Sequence, residues 1–305
     1  MKFFKSLYQF IDVLKTDSDC RIFLEEARWG KEPMCPHCGI QHERHYKLKF
    51  GGSHDGLYKC WSCHKRFTVL QGTVFEGSHI SLRKWFLAIY LFLSHKKGIS
   101  SIQLSKDIDV TQKTAWFMLQ RIRCNLEDKV PVTFDTETQI DETYVGGKSR
   151  GFKNGMQGRS TKEKTVVMGL LSERRVKAIV IPDASARTLK TVIYNLIRFG
   201  STVVTDGWRG YHGIGEYYVH KVIRHSNGIY VDEDGYHTNS IEGFWSHLKR
   251  GIIGVYHVVS RKHLQKYCDE FSYRYNTRDM SDGERFVKFI KDTDKHVKWS
   301  KLIYG

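Results

Sequence analysis

The chain has 305 residues, 40% of them apolar. That is enough to bury a core and too many for one minimal domain, which excludes wholesale disorder. Lys and Arg number 49 against 33 Asp and Glu, a formal charge of +16. This surplus suits a polyanionic partner that releases counterions on binding; a merely soluble basic protein is the plainer alternative. The longest apolar run, Trp85 to Leu93, is about half of the roughly 20 residues a spanning helix needs, so no membrane partner is expected. The amino terminus, MKFFKSLYQFIDVLKTD, lacks an uninterrupted apolar core and a small-residue cleavage site. A cytoplasmic, nucleoid-associated protein is therefore expected, in which seven cysteines point to a metal site rather than disulfides.

Residues 1–30 read as amino-terminal helices. Phe3, Phe4, Leu7, Phe10, Ile11 and Leu14 recur at helical spacing, and a short helical run follows from Cys20 to Ala27. Residues 31–72 hold two C-x-x-C knuckles, Cys35-Pro-His-Cys38 and Cys60-Trp-Ser-Cys63, with 21 residues between them. Each knuckle sets two thiolates on one turn, and four soft ligands in a tetrahedron suit structural Zn2+. Four buried thiols without metal would be the bland alternative, and paired knuckles rarely arise for packing alone. His37 and His64 read as surface residues or phosphate contacts, and Cys20, Cys124 and Cys268 as packing residues.

Residues 73–130 read as helices with breaks at Lys97–Gly98 and Asp109–Val110. Ile99 to Ile108 and Thr111 to Arg123 have the lengths of a helix-turn-helix pair, with Ile102, Leu104, Ile108 and Val110 as the buried face. Gln112, Lys113 and Thr114 then start the second helix, the part that reaches base edges. Lys96, Lys97, Arg121 and Arg123 are the expected phosphate contacts.

Residues 131–280 read as one further module, in which the periodicity changes from Thr138. QIDETYV, TVVMGLL, VKAIVI, STVVTD and YYVHKVI are short runs rich in β-branched residues and read as strands. SARTLKTVIYNLIRF, between the third and fourth, reads as a helix capped by Ser185. Two helices close the module, roughly 238–250 and 260–276. The segment from Gly146 to Lys164 carries Lys148, Arg150, Lys153, Arg159, Lys162 and Lys164 against one acid, Glu163; it reads as a DNA-contacting loop or as a solvated one. Residues 281–305 read as a carboxy-terminal helical tail packed on this module.

Three acids stand out. Asp141 lies within an apolar strand pattern, Asp206 ends a strand, and Glu242 lies on a helix with 35 residues between it and Asp206. Lys249 follows Glu242 by two turns on the same helix face, and Arg250 adjoins it. Hard divalent ions, two of them roughly 4 Å apart, activate a nucleophile and stabilise a leaving oxygen in phosphodiester chemistry, and carboxylates hold such ions. Glu142 should face the other side of the strand from Asp141. Asn239, one turn before Glu242, is the rival for the third position. Trp208, Tyr211 and Trp245 read as base-stacking candidates, with core packing the stronger expectation for at least two of them.

The ordered set IDETYVGGK, TDGWRGY, HTNSIEGFWSHLKRG and LQKYCDEFSYRYNTR resembles the DDE transposases of bacterial insertion sequences. CPHCG and CWSCHKRFTVLQGTVFEGS narrow the resemblance to insertion sequence family 1595, whose members carry an amino-terminal zinc ribbon. The resemblance runs from about residue 20 to residue 278. It implies an α/β, ribonuclease-H-like mixed sheet flanked by helices and preceded by the zinc ribbon, with the helix-turn-helix-like region read above between them. It also implies Mg2+ (or Mn2+) at Asp141, Asp206 and Glu242, with Lys249 as the family's basic position. Double-stranded DNA, both terminal inverted repeats and target, is the implied partner, with a dimer or higher oligomer needed to join two ends. A catalytically silent or domesticated DNA-binding regulator, and a metal-dependent nuclease that cuts without joining, remain the rival readings.

Overall fold

The computed structural model describes residues 4–48, 56–128, 133–146, 164–224, 228 and 230–304. They form two compact units, residues 1–126 with 279–305, and residues 127–278.

The first unit opens with α1 (Leu7–Val13) and α2 (Asp17–Trp29). The two are separate helices because Thr16 takes extended backbone and closes a capping box with Asp19, which satisfies free amides at the start of α2. Three two-residue strands follow, β1 (Tyr46–Lys47), β2 (Tyr58–Lys59) and β3 (Arg66–Phe67), paired antiparallel in that order. Next come α3 (Leu82–Ser94), α4 (Ser101–Asp107) and α5 (Gln112–Cys124). The chain returns to this unit at its end with α9 (Asp282–Lys291) and α10 (Trp299–Tyr304). Phe286 of α9 sits among Phe4, Phe10, Phe23, Phe86 and Tyr90, with ring centroids 5.1–6.0 Å away. Residues 281–305 are therefore not a tail on the second module, as expected from their position in the chain. The apolar face of α9 (Phe286, Val287, Phe289 and Ile290) is buried with the amino-terminal helices instead.

The second unit is built on five strands: β4 (Thr138–Val145), β5 (Thr165–Ser172), β6 (Arg175–Ile181), β7 (Thr202–Asp206) and β8 (Val219–Ile223), in spatial order β6-β5-β4-β7-β8. The pairs β4–β5 and β5–β6 are antiparallel, whereas β4–β7 and β7–β8 are parallel. The parallel return to β7 runs through α6 (Ala186–Leu196), capped by Ser185 as its sequence predicts. α6 stops short of the predicted Phe199 because Phe134 binds the backbone of Leu196 and Arg198, pulling Ile197 into a bridge. One face of the sheet buries Ile140, Met168, Leu170 and Val203 with Leu189 and Ile193 of α6. The other buries Val145, Val167 and Leu171 beneath α7 (Asn239–Gly251) and α8 (Arg261–Asn276). A mixed sheet in this order with helices on both faces is the ribonuclease-H-like arrangement.

Candidate active site

In the first unit, the four cysteines come together with all sulfur atoms within 4.8 Å of one another. Cys35 Sγ lies 3.7 Å from Cys63 Sγ, and Cys38 Sγ 3.6 Å from Cys60 Sγ. A zinc–sulfur bond of about 2.3 Å implies a tetrahedral edge of about 3.8 Å, so the set fits structural zinc. The two knuckles share one backbone plan. The Gly39 amide donates to the Cys35 carbonyl and the His64 amide to that of Cys60, both residues in the left-handed region that the turn demands. Burial pushes the Cys60 thiol up, but the Cys63 and Ser62 amides and the Cys63 and Cys38 thiols favour the thiolate and bring it down to about 6. Buried His45 ties the knuckles together. The Trp61 amide donates to its Nδ1, leaving Nε2–H to donate to the Ile40 carbonyl. His37 bonds the Arg66 carbonyl and stands outside the thiol cluster.

Also in this unit, α4 and α5 meet across a turn in which Asp109 adopts φ 50°, held by Lys84 Nζ donating to the Asp109 carbonyl. Gln112 and Lys113 are exposed at the start of α5 and Thr114 is half-buried. Gln112 donates to Ser101 Oγ, and Lys113 lies over the Trp299 ring. Two expectations are corrected. Ile102 is 61% exposed, so the buried face of α4 is Leu104 with Ile108. Arg121 and Arg123 are buried, not placed for phosphates. Arg121 donates to the Glu76 carbonyl under the Trp85 and Phe117 rings, and Arg123 stacks over Phe92. The end of α5 is enclosed on every side, with Met118 to Arg123 buried without a break, a setting that charge alone does not reveal. Lys96 and Lys97 are exposed.

In the second unit, the β4–β7 ladder is short, pairing Thr138 with Val203 and Gln139 with Val204. Continued by register it sets Asp141 level with Asp206, beyond the last paired residues. An opening between parallel strands at their carboxyl ends is where α/β sheets place ligand groups. The Asp206 carboxylate accepts from the Trp208 amide, which turns the chain away from the sheet. Asp141 accepts from Trp245 Nε1 at 2.9 Å. Burial pushes the Asp141 carboxyl up to about 6; the Glu142 backbone amide and Trp245 oppose the rise, and the charges of Asp206 and Glu242 add to it.

Glu242 lies in the first turn of α7 and accepts from Thr238 Oγ1 at 3.2 Å. Two features hold α7 against β4 and β5. Gln139 accepts from the Ile241 amide at the helix start and bonds His237 through its amide nitrogen. Gly169, paired with Asp141, lets the helix lie close. A Cβ there would stand 2.6 Å from the Trp245 ring and 2.7 Å from Ile241 Cδ1. Lys249 and Arg250 are exposed on α7. Glu142 points to the opposite face from Asp141, as alternation predicts, and accepts from the Tyr211 hydroxyl. Burial raises its carboxyl to about 7; Tyr211 opposes this, and Asp141 and Asp206 add to it.

The charges of Asp206 and Glu242 both act on Asp141, and those of Asp141 and Asp206 act on Glu142. Among the described residues, the cysteines form a set of ligand atoms within 4.8 Å of one another and the three carboxylates do not. Asn239 is exposed at the first position of α7. Lys148, Arg150 and Lys153 lie outside the described residues. Of the aromatic candidates, Tyr211 and Trp245 are core residues and Trp208 is half exposed. Sequence reading missed Gln139, Gly169 and His45. A clue exists for the first: Gln139 stands two residues before Asp141, hence on the same face of the strand.

Residues 135–276 match the ISXO2-like transposase domain, and residues 15–66 match the transposase zinc-ribbon domain. An uncharacterized protein in transposable element ISH50 of Halobacterium salinarum is 29% identical over 88% of this chain and 94% of its own length. An uncharacterized transposase-like protein of Haemophilus influenzae is 27% identical over 37% of this chain and 91% of its own. Among solved structures, the pre-cleavage Mos1 transpososome aligns at TM-score 0.25 and 11% identity, over 69% of this chain and 79% of that one. The Mos1 Strand Transfer Complex aligns at TM-score 0.25 and 13% identity, over 70% and 79%. With both halves of the family's architecture matched in order, the chain belongs to the insertion sequence family 1595 transposases that carry an amino-terminal zinc ribbon.

Proposed function

We propose that this transposase hydrolyses DNA at the terminal inverted repeats of its element and joins the freed 3′ hydroxyls to target DNA, using Asp141, Asp206 and Glu242. The observation that carries the reading is geometric: the β4–β7 register sets half-buried Asp141 level with Asp206, and Trp245, on the same helix as Glu242, donates to Asp141. Three acids so placed repel one another, and divalent cations relieve that repulsion. Two magnesium (or manganese) ions bound there would acidify the attacking water or hydroxyl and stabilise the departing oxygen.

In the first step a water oxygen bonds to phosphorus and the P–O3′ bond breaks, leaving a 3′ hydroxyl and a 5′ phosphate. In the second, that hydroxyl attacks a target phosphodiester and displaces a target 3′ oxygen. Trp245 keeps Asp141 oriented and favours its ionised form. Lys249 and Arg250 offer cations to the DNA backbone beside Glu242. Gln112, Lys113 and Thr114 read base edges at the start of α5, and Lys148, Arg150 and Lys153 add phosphate contacts. Joining two ends calls for a dimer or higher oligomer on DNA, acting at the nucleoid in the cytoplasm.

The test uses purified protein, magnesium and a duplex carrying the terminal repeats read from the DNA flanking the gene. Cleavage and joined products are expected from wild type, and neither from Asp206→Asn, which should still bind the duplex. Full activity in Asp206→Asn would overturn the assignment.

A further inference from the structure

The segment that follows α7 is left unused by the chemistry above. Residues 252–256 form a π-helical turn, Ile252–Tyr256, an irregularity that recurs at functional sites. His257 then closes the turn at φ 60°, unusual for a residue with a side chain. Ile253 is 70% and Val258 78% exposed, the two most exposed large apolar side chains described in this unit. The base beneath them is firm. The Tyr256 hydroxyl donates to buried Glu270 at 2.7 Å, its ring meets Tyr267 edge-on, and Arg274 pairs with Glu270 at 2.8 Å.

Charge says what such a tip meets. From Gly243 to Cys268 the sequence has no Asp or Glu, while Lys249, Arg250, Arg261 and Lys262 flank the turn and are all exposed. Position adds direction. Glu242, Ser246, Lys249 and Ile253 follow one another at intervals of four, three and four, a single helical stripe. The stripe runs from the acid, through a hydroxyl and a cation, to an apolar end. A second copy of the chain is a poor occupant. A symmetric contact would set the cations of one copy against those of the other, and two aliphatic side chains fall well short of the ~800 Å² per partner of a stable interface.

We propose that Ile253, flanked by Val258, is an apolar wedge that enters a base step of duplex DNA while the surrounding cations hold the phosphates. Isoleucine is among the side chains that unstack such steps in this way. Its distance from the chemistry rests on the carboxylate reading above. Eleven residues at about 1.5 Å each place the wedge about 16 Å from Glu242, or about five base pairs at 3.4 Å per pair.

The experiment uses full-length protein and duplexes ending at the element's terminal repeat, each carrying one 2-aminopurine at a different position from the end. It is run without divalent metal and read by fluorescence alone, so failure of the wedge and failure of the Asp206 assignment are separate results. Fluorescence should rise on binding at about the fifth pair, fall to the level of free DNA with Ile253→Ser, and return with Ile253→Leu. An increase that survives Ile253→Ser, or none at any position, overturns the proposal. So does a drop in the sedimentation size of DNA-free protein on Ile253→Ser, which would assign the surface to a second copy. Ile253 is exposed, so an unchanged melting temperature for both variants serves as the folding control.

Discussion

Trp245→Phe isolates one hydrogen bond at the centre of the cluster. The indole nitrogen donates to Asp141 Oδ2 at 2.9 Å, while the ring packs against Phe244 and across Gly169. Phenylalanine keeps an aromatic ring there and removes the donor. A hydrogen bond to a charged acceptor contributes about 1.5–3 kcal/mol, which corresponds to roughly 1–2 pH units on the carboxyl it serves. Asp141 already sits at about 6, raised by burial and by its acidic neighbours. Its folded-state value exceeds its unfolded one, so the sign is that of a group whose protonated form the fold prefers. The metal-free protein has that contribution in full below pH ~4 and loses it as pH rises through about 6. Holding a cation demands the opposite form. Cleavage should therefore fall about tenfold per unit on the acid side of pH 6, and Trp245→Phe should move that limb up by roughly one to two units. The assay is the pH profile of cleavage at a fixed magnesium concentration well below saturation, from pH 5 to 9, for both proteins, because saturating metal would compete with the proton and drag both limbs down. The limb position is decisive because a general loss of packing lowers the whole profile without shifting it. Coincident acid limbs would refute the claim that Trp245 controls the ionisation of Asp141.

Gly169→Ala places a methyl group where Trp245 and Ile241 already lie within 2.7 Å. α7 must shift, at a cost of about 1–3 kcal/mol, and both melting temperature and cleavage should drop; an unaltered protein would mean the helix does not need that close approach. Metal analysis should find about one zinc per chain, and Cys60→Ser should reduce it and destabilise the first unit; stable, zinc-free wild type would count against the ribbon. Arg121→Leu should alter thermal stability while leaving the salt dependence of DNA binding unchanged, since Arg121 is buried against Trp85 and the Glu76 carbonyl. A salt slope reduced by about one would restore it as a phosphate contact.

Much of this protein is written locally. The paired knuckles declare a metal site because C-x-x-C forces two sulfurs onto one turn, and His45 only bridges what the spacing had already built. Strands β4 to β8 and helix α6 follow from β-branched runs and a Ser cap, features that act over a few residues. Alternation along β4 by itself separates Asp141 from Glu142. What needed the tertiary structure is whatever depends on direction or on distant partners. Charge marks Arg121 and Arg123 as cations, yet only packing shows them turned into the first unit. Residues 281–305 look like an appendix to the second module, but Phe286 packs against rings of residues nearly 200 or more positions earlier. The same holds at the carboxylates. Residue type and spacing nominate Asp141, Asp206 and Glu242, while their common environment depends on where β4 parts from β7 and on how near Gly169 and Gln139 let α7 approach. Local sequence specifies which groups can do the chemistry; the long-range packing of sheet and helix sets their separation and charge state.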